Sequence, residues 1–79
     1  MSDKETIKLA ERNLRNLLGK LEGLRCEEFE VKTKQRRIVF SYEVEIHHFP
    51  FRERIYREVV VDNKDGGFVA IKMFDPNKR

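Results

Sequence analysis

One cysteine, no tryptophan, four glycines and two prolines leave this chain few of the devices on which small proteins often rely. Cys26 alone excludes an internal disulfide and a cysteine-based zinc cluster, and it reads as a small, half-buried apolar residue. No apolar run approaches the roughly 20 residues of a membrane-spanning helix, so no membrane role is expected. The opening Met1-Ser2-Asp3-Lys4-Glu5-Thr6 carries no apolar signal segment, which predicts a cytoplasmic protein. A glycine-rich phosphate loop is missing too, because Asp65-Gly66-Gly67 is explained by turn geometry. With no repeat, linker or low-complexity stretch, residues 1–79 read as one domain.

What the chain does have is charge. Apolar and charged residues each make up 39% of it, too apolar for disorder and too charged for a membrane protein. Seventeen Lys and Arg against fourteen Asp and Glu give a net charge of +3, a thin excess whose distribution matters more than its total.

Ser2-Asp3-Lys4-Glu5 has the spacing of a helix-capping box. Ile7, Ala10, Leu14, Leu17, Leu18 and Leu21 then recur at helical spacing, with Gly23 placed to end the helix in a left-handed conformation. From Phe29 the period changes to two. Phe29, Val31 and Thr33 define one face of a first strand, and Ile38, Phe40, Tyr42, Val44 and Ile46 that of a second. Ile55, Val59 and Val61 mark a third strand, and Val69, Ile71 and Met73 a fourth. The predicted class is α+β, two-layer: one N-terminal helix packed on a four-stranded antiparallel meander.

Loop positions predict the registers. A turn at Lys34-Gln35 pairs Val31 with Ile38 and Phe29 with Phe40, setting Lys32 opposite Arg37. A turn at Phe49-Pro50 pairs Val44 with Ile55, Phe40 with Val59, Ile38 with Val61 and Glu45 with Arg54. A loop at Lys64-Asp65-Gly66 pairs Val61 with Val69, Val59 with Ile71 and Glu58 with Lys72. Roughly residues 44–55 extend past strands one and four as a two-stranded arm tipped by His47-His48-Phe49-Pro50-Phe51.

Metal binding at this tip is not expected. Adjacent strand residues point to opposite faces, so His47 and His48 are poorly placed to share an ion, and Glu45 with His47 supplies only two ligands. No constellation meets the roles of an active site, so neither an enzyme nor a cofactor is predicted.

Two binding roles follow. The first is a protein-interaction module, a homodimer or a partner of another protein. It would use the sheet face that the helix leaves open, through Val39, Tyr56, Val60, Phe68 and Phe74, together with Phe49 and Phe51 at the arm tip. The second is nucleic-acid binding through Lys32, Lys34, Arg36, Arg37, Arg52 and Arg54. The open face also carries Glu28, Glu30, Glu43, Glu45 and Glu58, which suit a backbone-tracking groove poorly. Tyr42 and Arg57 fall on the helix side, where Arg57 needs an anion, an edge position or a bulge.

Overall fold

The computed structural model describes residues 2–45, 52–65 and 67–76. Helix α1 (Asp3–Leu18) precedes strands β1 (Glu22–Val31), β2 (Gln35–Glu45), β3 (Arg52–Asp62) and β4 (Phe68–Met73). The strands form one antiparallel sheet in the order β1-β2-β3-β4, the α+β meander that the periodicity predicts.

Ser2 caps the helix, its Oγ accepting from the Glu5 amide at 3.2 Å and donating to the Glu5 carboxylate at 3.1 Å. Asp3 and Glu5 in the first turn and Arg15 in the last complement the helix dipole. The helix stops four residues earlier than predicted. Gly19, at φ +88, takes the cap position and its N–H donates to the Arg15 carbonyl at 2.7 Å. The apolar spacing runs on through Leu21, which is why periodicity alone hides the stop. Gly23 does adopt positive φ, +60, but inside β1.

Ala10 and Leu14 from the helix meet Ile38, Phe40, Val59 and Val61 from the sheet, all fully buried. Ile7, Leu21, Leu24, Phe29, Phe68 and Ile71 pack around them. Two members of the predicted stripe are not covered: Leu17 is 61% exposed and Leu18 39%.

β1 begins well before Phe29, and the first two hairpins are each offset by two residues from prediction. Phe29 pairs with Ile38 and Val31 with Arg36; Ile38 pairs with Val59, Phe40 with Arg57 and Tyr42 with Ile55. Val31 is consequently 57% exposed, and Thr33 lies in the turn. An offset of two keeps every side chain on its face, so apolar alternation cannot distinguish these registers. Charge can. The observed pairing sets Glu30 opposite Arg37 in place of a Lys32–Arg37 clash. It also sets Glu43 opposite Arg54 and Glu45 opposite Arg52, two opposite-charge pairs where the predicted turn offered one.

In the third hairpin Val59 pairs with Ile71 and Glu58 with Lys72 as predicted. Val61, however, sits opposite Phe68, because Val69 is an extra residue that bulges out and is 54% exposed. Gly66 of the predicted loop lies outside the described residues. β1 carries two register shifts, one before Arg25 and one after Cys26. Bulges thus fall in both outer strands, while β2 and β3 pair without interruption from Gln35–Asp62 to Glu45–Arg52.

Candidate functional site

The open sheet face is not an apolar patch. Val39, predicted to be its centre, is fully buried. It lies between Glu28 and Glu58 in the ladder, and Arg37, two residues along β2, pairs with both and with Glu30. The Arg37 guanidinium also sits 5.5 Å from the Phe74 ring centroid, tying the segment after β4 to the sheet. These groups close over the valine. Val60, between Arg37 and Ala70, and Tyr56, opposite Ser41, are half-buried, as is Phe74. Phe68 is not on this face at all: the bulge at Val69 turns it into the helix-side core.

A second ionic cluster continues along the same face toward the arm. Ser41 is fully buried, its hydroxyl donating to Glu27 at 2.5 Å and accepting from Arg54 at 2.8 Å. Arg54 also donates to the Gly23 carbonyl at 2.9 Å and to Glu43 at 3.4 Å. Positive φ favours glycine at Gly23, where a Cβ would stand 3.0 Å from the end of the flexible Arg54 side chain. Arg52 pairs with Glu22 and lies 3.5 Å from Glu43. Its hydrogen bond and charge hold the Glu22 carboxyl below the usual carboxylate range, and Glu22 in turn raises Arg52. Arg25 pairs with Glu27 at 3.2 Å.

Of the six basic residues predicted for nucleic acid, three are thus bound to glutamates: Arg37, Arg52 and Arg54. Arg36 donates to the Lys32 and Gln35 carbonyls at 3.0 and 3.1 Å, and only Lys32 and Lys34 stand exposed at the first turn. Phe49 and Phe51, with His47 and His48, lie outside the described residues. Among the described residues no three His, Cys, Asp or Glu side chains are grouped to hold a metal ion, and no helix is long and apolar enough to cross a membrane.

Uncovered apolar surface lies on the other side, at the arm end. The strands β2 and β3 run 11 residues, about 36 Å, whereas the 16-residue helix spans about 24 Å. β4 stops where Met73 meets Arg57, and past the Phe74 N–H, which donates to the Tyr56 carbonyl at 3.1 Å, no described strand pairs with the first part of β3 on that edge. Glu53, Ile55 and Arg57 occupy the helix side there, opposite Val44, Tyr42 and Phe40. Met73 is 63% exposed beside them. A groove of about 450 Å³ follows this edge, lined by Glu53, Ile55, Tyr56, Met73, Phe74 and Pro76 among others. Cys26 itself is exposed, and its residual burial, with Glu11 and Glu27, pushes the thiol above its ordinary value.

Arg57 meets its predicted need partway. Its Nε donates to the Tyr42 hydroxyl at 3.0 Å, and no carboxylate pairs with it among the described residues. Exposed Glu53, two residues before Ile55, likewise has no cation there. Apolar alternation assigns Ile55 and Met73 to the core and so misses this surface. The signal for it is Arg57, a charge at an apolar position of the alternation. Set against protein-family models, curated proteins and solved structures, the chain matches none of them.

Proposed function

We propose that the protein is a small, non-enzymatic interaction module that self-associates through the helix-side surface of its β2–β3 arm. The observation that supports this most is exposed Met73 on the helix side of the arm, opposite Arg57. Met73 lines the arm edge together with Ile55, whereas the open face covers Val39 with its own ion pairs. Apolar surface rimmed by single charges fits a contact surface, and small domains gain stability from a symmetric partner. The single cysteine suits a cytoplasmic setting. Nucleic-acid binding draws less support, because the arginines it would use are engaged with glutamates.

Sedimentation over a range of concentrations tests the proposal. The 9.5 kDa chain is expected to approach twice its mass, and Ile55→Lys to weaken association at least about tenfold. Val60→Lys, on the open face between Arg37 and Ala70, is expected to leave it unchanged. A wild-type chain that stays monomeric throughout, or a Val60→Lys variant as impaired as Ile55→Lys, would contradict it.

A further inference from the structure

We infer that the arm's partner is a second copy of this chain in one orientation: antiparallel about a two-fold axis at Ile55, with Glu53 of each copy paired to Arg57 of the other. The inference rests on the self-association proposed above and specifies its geometry.

A two-fold interface places one surface against itself, so its charges must be self-complementary. Along the helix side of β3 the order is Glu53, Ile55, Arg57: negative, apolar, positive at two-residue spacing. An axis through Ile55 that reverses the strand direction brings isoleucine onto isoleucine and each Glu53 onto an Arg57. An axis parallel to the strand would bring Glu53 onto Glu53 and Arg57 onto Arg57, two like-charge contacts at a desolvated surface. The charges therefore select the antiparallel form.

Arg57 is already oriented for this role. Its Nε is held by the Tyr42 hydroxyl at 3.0 Å, and Tyr42 is the direct neighbour of Ile55 across the ladder. The guanidinium is thus drawn along the arm toward the axis. It is half-buried among apolar neighbours without a carboxylate among the described residues, a state that a charge-assisted hydrogen bond from outside would relieve. Met73, opposite Arg57 in the ladder, supplies an apolar flank to the same contact.

The test uses Glu53→Arg and Arg57→Glu, each alone and mixed in equal amounts, with circular dichroism to check the fold. In either variant alone both cross-copy pairs become repulsive. In the mixed dimer both pairs become attractive. One joins the arginine introduced in one copy to the glutamate introduced in the other, and the second joins the unchanged Glu53 and Arg57. Each variant alone is expected to associate at least about thirtyfold more weakly than wild type, and the mixture to recover a one-to-one dimer within about threefold of it. If Arg57→Glu does not fold, Arg57→Gln keeps a donor for Tyr42 while removing the charge. It is expected to weaken the dimer and flatten its salt dependence. A monomeric wild type overturns self-association itself. A wild-type dimer with a mixture no tighter than its components, or with Arg57→Gln unchanged, overturns this pairing and leaves the dimer to another orientation. Dimers from either variant alone as strong as wild type do the same.

Discussion

Replacing Arg37 by methionine is expected to lower the folding stability by roughly 2–4 kcal/mol, more than any other single charged substitution on the sheet. Methionine can restore much of the cover over Val39, so lost packing is a small part of the effect. The larger part is electrostatic. Arg37 is the common partner of Glu28, Glu30 and Glu58, with its side chain only 16% exposed. Removing it leaves three carboxylates converging on one site without the cation they share. The contact with Phe74 goes as well, which loosens the segment after β4. Urea unfolding measures the loss, and added salt should shrink it, because repulsion among partly exposed carboxylates is screened over about 10 Å at 0.1 M salt. A variant as stable as wild type at low salt would show that the open face is held by its backbone ladder and not by its ion pairs.

Phe40→Ala is expected to cost about 3–5 kcal/mol, the largest effect of any core truncation here. Phe40 is the largest fully buried side chain, and it stands at the centre of the contact between α1 and the sheet. A 79-residue chain carries roughly 4–12 kcal/mol of total stability, so the variant should be largely unfolded or close to it at 37 °C. Phe40→Leu retains most of the volume and should lose only about 1–1.5 kcal/mol. Thermal unfolding followed by far-ultraviolet circular dichroism distinguishes the two. Equal losses for leucine and alanine would mean that the cavity is not what sets the cost.

Much of this architecture is legible in the residues alone, and the limits have physical causes. The cap at Ser2, the stripe through Ala10 and Leu14, and the alternation of Ile38, Phe40 and Tyr42 each report a period that only one element satisfies. Register is another matter. A shift by two leaves the alternation intact, so Ile38 can face Val59 or Val61 equally well on apolar grounds. Ion pairs between Glu43 and Arg54 and across Glu30 and Arg37 settle it, and these are visible only when whole faces are compared.

Bulges are the second limit. A single extra residue at Val69 moves Phe68 from the open face to the core, although both are apolar and no glycine marks the position. Gly23 reads as a left-handed residue at a helix end, yet positive φ serves a bulge as well as a cap. The candidate site is hard to read for related reasons. Alternation puts Val39 opposite the helix and so predicts exposure, but long glutamate and arginine side chains can bury a valine as completely as a second layer does. Arg57 is the one residue whose misfit points to the surface that the structure leaves uncovered.

Amide chemical shifts recorded over a hundredfold range of protein concentration test most directly where this molecule meets itself. Association through the arm predicts concentration-dependent shifts centred on Glu53, Ile55, Arg57 and Met73, with Val39, Val60 and Ala70 unmoved. Shifts centred on Val60, Ala70 and Phe74 would return the interface to the open face and contradict association through the arm.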